Sequence, residues 1–421
     1  MIITFYGGAS EVGRSCISID DKYLMDAGIK ISEEGSEYPL SFDVSQLQAV
    51  FISHAHLDHT GALPLFNHKG LRCPIFCTAV TKDITKILLK DSLHIEQLEN
   101  LTPGYNKDNI YNVMGLMKNA KYGKRGKIHD VKFRFYDAGH IPGSASILLK
   151  YHNKKILYTG DINSTDTFLL KGSSYDTKNV DVMICESTYG DRDHTNRQKT
   201  VTDFLNKVKK TLDRGGTALI PAFAVGRSQE VLMMLASRKW KVPIYLDGMS
   251  KRISNIFQRR SDFLKDEYGL KDTMKNVKYV KNRKERKEIV KEQAIIVTTS
   301  GMLDGGPVID YLSSLYFDEK SSVYMTGYQA EETNGRLLLN EGKAYIDGLR
   351  IKIRCEVEKF DFSAHSGQKE LVNLINKINP KHLILNHGDE PSLQKLSSIF
   401  NKKFKVYTPK NGVGIKIWKR W

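Results

Sequence analysis

Long apolar runs are missing from this 421-residue chain. No stretch approaches the ~18 uninterrupted apolar residues that a membrane-spanning helix needs. The opening residues, MIITFYGGAS, lack a basic segment followed by an apolar one, so no secretory leader is expected. Cysteine is scarce: five residues, at positions 16, 73, 77, 185 and 355, form an odd and scattered set that excludes a disulfide framework. Cys73 and Cys77 flank PIF without the second pair that a thiolate metal site would show, and they read as two strand thiols. A reduced, cytoplasmic, soluble protein without a membrane partner is expected. Acidic residues are in deficit, 48 against 64 basic ones, which leaves a net charge of +16 and an isoelectric point near 9.3. A polyanionic partner selects such an excess, because lysines and arginines on phosphates release counterions. Surface lysine that only keeps a protein soluble leaves the same signature, so charge alone does not choose. Internal repeats and low-complexity linkers are absent as well.

The composition that is there, 40% hydrophobic and 27% charged, is ordinary for a globular chain, and the length calls for two or more folded units. Through about residue 190 the sequence reads as strands joined by glycine turns: MIITFYGG, CISIDDKYLMDAG, AVFISH, KFRFYDAGH, SASILLKY and KKILYTGD. A helical insertion covers about 81–120, and the basic stretch KNAKYGKRGK after it reads as a solvated loop. Beyond VMICESTYGDRDH, helix and strand alternate at the spacing of βαβ units on a parallel sheet. Strand, helix and strand then return in IKIRCEVEKFDFSAHSG, QKELVNLINKIN and KHLILNHGD. The expected organisation is an α/β core over 1–190, an inserted α/β domain over 191–345, and a return to the core over 346–421.

One stretch stands apart. FISHAHLDHTGALP places His54, His56, Asp58 and His59 within six positions. Alternate residues at a strand end share a face, so His54 and His56 point together, and Asp58 and His59 follow where the chain turns helical. Imidazole and carboxylate are the usual ligands of catalytic zinc, but four such groups cannot enclose two ions. The missing partners sit at the ends of other predicted strands: His140 after KFRFYDAGH, Asp161 after KKILYTGD, and His387 after KHLILNH.

SHAHLDHTG resembles the second motif of the metallo-β-lactamase fold, an αββα sandwich that binds two metals. Asp26 in LMDAG matches the first motif, His140 the third and Asp161 the fourth. Beyond these, the chain resembles the β-CASP ribonucleases, in particular the endonuclease subunit of cleavage and polyadenylation specificity factor and its archaeal relatives. Glu186 in CESTYG matches motif A, His365 in FSAHSG motif B, and His387 in LNHGD motif C; PAFAVGRSQE, SGMLDGG and GYQAEETNGR resemble segments of the inserted domain. The resemblance runs in order along almost the whole chain. Two departures are that the KH domains of many archaeal members and the extra C-terminal domain of ribonuclease J are not expected here, so the core or a partner must hold the RNA.

The resemblance implies two Zn²⁺ ions per chain, one on His54, His56 and His140, the other on Asp58, His59 and His387, with Asp161 bridging. It implies hydrolysis of phosphodiester bonds in single-stranded RNA, as an endonuclease or alternatively a 5′→3′ exonuclease, within a homodimer or an RNA-processing complex. Two zincs ~3.5–4 Å apart activate a shared water and offset charge on the phosphate. Asp26 is expected to orient a ligand histidine, and Glu186 to do the same for His365. His365 can protonate or hydrogen-bond the departing ribose oxygen, or simply contact phosphate. Arg227 in AVGRSQ, Ser300 and Gly301 in TSGMLDGG, and Gly327 and Arg336 in the 327–336 loop are the expected phosphate contacts, in a cleft between core and insertion. The run KNVKYVKNRKERKEIVKE (275–292) interleaves Glu285, Glu288 and Glu292 with its cations and reads as a solvated helix rather than an RNA track. A small-molecule hydrolase needs neither the insertion nor the charge. An inactive RNA-binding subunit would show a broken ligand set, and relatives acting on DNA tend to lack the histidine that His387 supplies.

Overall fold

A computed structural model describes residues 1–32 and 35–418. The chain forms two compact units. The first comprises Met1–Asp166, Lys171–Asp193 and Ala364–Trp421; the second comprises Thr167–Leu170 and His194–Ser363.

Two seven-stranded sheets build the first unit. One has the order Gly414–Lys416, Ile2–Gly7, Cys16–Ile19, Tyr23–Met25, Ala49–Phe51, Ile75–Cys77, Met117–Asn119. The other runs Lys405–Tyr407, His382–Asn386, Val182–Glu186, Lys154–Tyr158, Ala145–Tyr151, Val131–Asp137, Arg125–Ile128. Strand periodicity assigns the layers. Tyr23, Met25, Ala49, Phe51, Phe133, Phe135, Ile147, Ile184 and Ile384 fill one core drawn from both sheets. Their alternating neighbours turn away from it. Leu24 and Val50 pack with Leu63, Phe66 and Val113, while Leu157, Met183, Cys185 and Leu385 pack with Leu371, Leu374 and Leu396. The result is a four-layer αββα sandwich. Helices Ala79–Leu98 and Lys107–Leu116 supply the expected helical insertion. The basic stretch 118–127 is not a continuous loop, because its ends lie in the strands Met117–Asn119 and Arg125–Ile128, each the last strand of its sheet.

The second unit carries a six-stranded sheet in the order Val277–Tyr279, Ile244–Leu246, Ile295–Thr298, Ala218–Pro221, Ser322–Met325, Glu356–Lys359, parallel throughout and flanked by helices. Its last strand lies past the expected boundary at 345. Glu356–Lys359 reads like a return to the core, but it pairs with Ser322–Met325, and the hairpin Lys343–Ile346/Leu349–Lys352 precedes it, so the unit extends to Ser363. Among the described residues no helix is long and apolar enough to cross a membrane.

Candidate metal centre

The strand Ala49–Phe51 is buried throughout, and His54 follows its carboxyl end. His56 caps the short helix Leu57–Thr60, whose first turn holds Asp58 and His59. The Thr60 hydroxyl donates to the carbonyls of Ala55 (3.1 Å) and His56 (3.0 Å), which fixes the turn. Ala27 donates its N–H to the carbonyl of His59 at 2.9 Å, and a Cβ on Gly28 would lie 1.7 Å from the carbonyl oxygen of Asp58. Only glycine lets this segment pass so close behind the ligand turn. His140 and Asp161 arrive from the loops after Val131–Asp137 and Lys154–Tyr158, and His387 from the end of His382–Asn386. Asp26 and His387 hold left-handed backbone, at φ 56° and 50°. Such conformations in non-glycine residues cluster at functional sites.

These loops bring two groups of ligand-type side chains together, His54/His56/His140 and Asp58/His59/Asp161/His387. His56 Nδ1 lies 3.1 Å from His54 Nε2 and 3.3 Å from His140 Nε2. In the other group His59 Nε2 is 3.6 Å from Asp58 and 3.4 Å from Asp161, and His387 is 3.5 Å from Asp58 and 3.2 Å from Asp161. Asp161 also lies 3.6 Å from His54 and 3.8 Å from His140, which puts it between the groups. Ligands at ~2.0–2.1 Å around a tetrahedral ion stand ~3.3–3.4 Å apart, so the spacing suits one. His59 Nε2 and Asp161 Oδ1 are buried polar atoms without a hydrogen-bond partner. A buried lone pair left unmatched costs about 1–3 kcal/mol, and a divalent cation removes that cost. The residues present therefore fit a metal.

Tautomers are set from behind. Asp26 is fully buried and accepts four bonds at 2.7 Å, from the Ser53 N–H and hydroxyl, the Tyr158 hydroxyl and His59 Nδ1. Both of its oxygens are occupied, and His59 is left with Nε2 facing the centre. His140 Nδ1 donates to the carbonyl of Ala364 at 2.8 Å, which aims Nε2 the same way. Burial holds His54, His56 and His140 below the usual imidazole range, as neutral rings. For His59 and His387 burial works in that direction too, but the carboxylates of Asp161 and Asp58 outweigh it and raise both. Asp161 is pushed up by burial and pulled further down by His387, His59 and His54, which keeps it ionised.

Beside the ligands, His365 Nδ1 sits 3.0–3.1 Å from both oxygens of Glu186, whose Oε1 also accepts the N–H of Ile162 at 2.6 Å. The His365 ring packs on His140 with centroids 4.6 Å apart, and a ring nitrogen of His365 lies within 4.8 Å of one of His140 and of a carboxylate oxygen of Asp161. Burial disfavours the charged ring, yet Glu186, with Asp161 and Asp58, raises its pKa to about 9. A cation on the two aspartates would cancel their share and leave Glu186 as the lasting partner.

The expected phosphate contacts all belong to the second unit. Ser300 and Gly301 follow Ile295–Thr298, Gly327 follows Ser322–Met325, and Arg227 opens the helix after Ala218–Pro221, all at the carboxyl edge of the parallel sheet. A Cβ on Gly327 would meet the Phe223 ring at 2.6 Å, so packing alone demands that glycine. Arg336 brings no free charge, since it pairs with Glu331. Residues 275–292 are not one helix: Val277–Tyr279 is a strand and only Arg283–Ile289 is helical. Arg286 there is bound to Asp247 at 2.7 Å and Asp310 at 2.8 Å, which makes it a structural cation. Ser53, Tyr158 and the Ala364 carbonyl escape sequence reading. The signals for them are faint: a hydroxyl directly before the first ligand, and a tyrosine at an inward strand position.

Three family models match the chain: the metallo-beta-lactamase superfamily domain over residues 17–187, the Beta-Casp domain over 228–338, and the Zn-dependent metallo-hydrolase RNA specificity domain over 350–409. A probable RNase of Methanocaldococcus jannaschii is 41% identical over 99% of this chain and its own full length. RNase aCSPSF2 of Saccharolobus solfataricus is 36% identical, covering 98% of this chain and 84% of the relative. Transcription termination factor FttA of M. jannaschii is 32% identical, covering 99% and 71%. A solved protein of unknown function from Enterococcus faecalis shares the fold, with a TM-score of 0.64 and 14% identity over 98% of this chain and 99% of that one. The chain thus belongs to the β-CASP branch of the metallo-β-lactamase fold, the metal-dependent hydrolytic ribonucleases that include the archaeal relatives of cleavage and polyadenylation specificity factor.

Proposed function

We propose that the protein is a zinc-dependent endoribonuclease that hydrolyses single-stranded RNA in processing or termination. The convergence of seven imidazole and carboxylate groups around the orphaned His59 Nε2 and Asp161 Oδ1 carries the reading. His54, His56 and His140 would hold one ion, Asp58, His59 and His387 the other, with Asp161 between them. The pair, when bound, supplies an activated water and a sink for phosphate charge. Asp26 and the Ala364 carbonyl keep two of the rings in the metal-binding tautomer. Glu186 keeps His365 protonated and aimed, and His365 gives its proton to the departing ribose oxygen. Arg227 and the turns at 300–301 and 327 contact phosphates, so binding tolerates many sequences. Internal cutting follows the resemblance to the endonuclease subunit.

One RNA labelled at either end tests the cut: internal fragments that do not depend on the 5′ group are expected, whereas mononucleotides released only from 5′-monophosphate ends would make the enzyme an exonuclease. Metal analysis tests the centre. His59→Ala or Asp161→Ala should abolish cleavage and lower bound zinc, and normal turnover with both ions at full occupancy would overturn the assignment.

A further inference from the structure

Four lysines line up across four consecutive strands of the first unit. Lys127 stands opposite Lys132, Lys132 opposite Lys150, and Lys150 opposite Lys155. Their neighbours Phe133, Leu149 and Ile156 face the core between the sheets, so all four lysines share the outer face, and all four are exposed. At ~4.8 Å between strands the row is roughly 14 Å long. It lies at the end of the sheet away from the metal: Lys132 precedes Asp137 by five residues, roughly 17 Å of strand, and His140 lies beyond that.

Like charges directly opposite destabilise a sheet. Several lysines elsewhere are matched, as in Lys207 with Glu356 and Glu358, Lys209 with Asp213, and Lys291 with Glu288. Among the described residues none of these four forms an ion pair: Asp181, beside Lys155, takes the Lys381 ammonium at 2.9 Å, and Asp130, in the hairpin turn, takes the Tyr23 hydroxyl and faces His152 at 3.8 Å. Arg125 faces Arg134 one step along the same two strands, and there Asp176 offsets Arg134 at 2.7 Å. At the other end of this edge His382 is held below the usual imidazole range by burial and then by Lys405, Lys381 and Lys154. A polyanion laid along the row would offset its repulsion. Lysine offers compact point charges on flexible stems, suited to following a phosphate backbone and blind to bases.

We propose that the Lys127–Lys132–Lys150–Lys155 row is a second RNA-binding surface, which holds the phosphate backbone of a single-stranded substrate at a distance from the metal centre. At ~3.4 Å of stacked rise per nucleotide, the row matches about four nucleotides. The inference rests on RNA being the substrate. It predicts that long RNA engages both places and short RNA only the centre.

The test compares the full-length protein with K127Q/K132Q/K150Q/K155Q, using RNAs of about 30 and about 4 nucleotides. For the long RNA the log–log salt dependence of binding should flatten by about 0.7 for each phosphate no longer held, up to about 3 in all, and KM should rise with kcat unchanged. Cleavage of the short RNA should not change. Arginine at the four positions should restore the slope, and neutralising Lys209, Lys271, Lys275 and Lys291 instead should leave it alone, which separates the row from net charge. An unchanged slope, or an equal loss on short RNA, would overturn the proposal. So would polyglutamate binding that vanishes in the variant while the RNA slope stays, since the partner would then be an acidic protein. If the unaltered protein neither binds nor cuts RNA, the substrate reading itself fails; if it cuts and the slope is unmoved, only the row does.

Discussion

Replacing Asp26 by Asn changes one atom of a fully buried group and should damage a metal site that Asp26 does not enter. Four donors point at its carboxylate: Oδ1 takes the Ser53 N–H, and Oδ2 takes the Ser53 hydroxyl, the Tyr158 hydroxyl and His59 Nδ1. An amide has one accepting oxygen. Its least harmful placement puts oxygen where Oδ2 was and NH₂ against the Ser53 N–H, which buries two donors face to face at about 1–3 kcal/mol. The three remaining bonds lose their charge, from about 1.5–3 kcal/mol each to about 1. The loss of folding stability should be about 3–9 kcal/mol. His59 also loses the anion that makes Nε2 a strong donor to metal. Removing such a partner typically weakens metal binding about 10–100-fold, or about 1.4–2.8 kcal/mol. Competition against a chromophoric chelator reads the affinity, and thermal unfolding with and without metal reads the stability. A variant with unaltered Tm and affinity would refute the reasoning. Outright loss of one ion would instead make Asp26 a ligand.

His365→Ala should retain both metals and slow cleavage by ~10²–10⁴-fold, as metal analysis beside single-turnover rates would show; loss of metal would make His365 a ligand. Glu186→Gln bears on pH. With no cation on Asp161 and Asp58, the rise of His365 from 6.5 to about 9 favours the protonated ring by about 3 kcal/mol, a stabilisation fully present below pH 6.5 and lost as pH rises through 9. Glutamine removes the main support while burial stays, so the alkaline limb of the pH–rate profile should move to lower pH; an unmoved limb would remove His365 as the proton donor. Replacing Lys132 and Lys150 by Thr should raise Tm at low salt, at about 0.2–1 kcal/mol for each repulsion relieved, and the gain should fade as salt screens it.

The candidate ligands are legible in the sequence because they sit in one short motif or just past strand ends, where residue type and spacing speak directly. Ser53, Tyr158 and the Ala364 carbonyl are not, since their roles depend on which atom faces which across residues 26, 59, 140 and 158. The boundary at 345 fails for a related reason. Glu356–Lys359 has strand character in either unit, and only its hydrogen-bonded neighbour decides where it belongs. The segment 275–292 has helical charge spacing, but Val277–Tyr279 finds a sheet edge beside Ile244–Leu246, and that pairing overrides propensity. The lysine row lies outside any motif search, because it exists only in the register of four strands.

The metal-binding groups span residues 54 to 387, and the strand Gly414–Lys416 closes against Ile2–Gly7. On the ribosome, therefore, the first of them emerge long before the last. A nascent chain holds His54, His56 and His140 early, but the group of Asp58, His59, Asp161 and His387 waits for the last of these and for the sheet that carries it. Contacts so distant in sequence form late, because the loop must close before they contribute. The full set of ligand-type groups is thereby deferred until His387 and its sheet are made, and a fragment released before that lacks it.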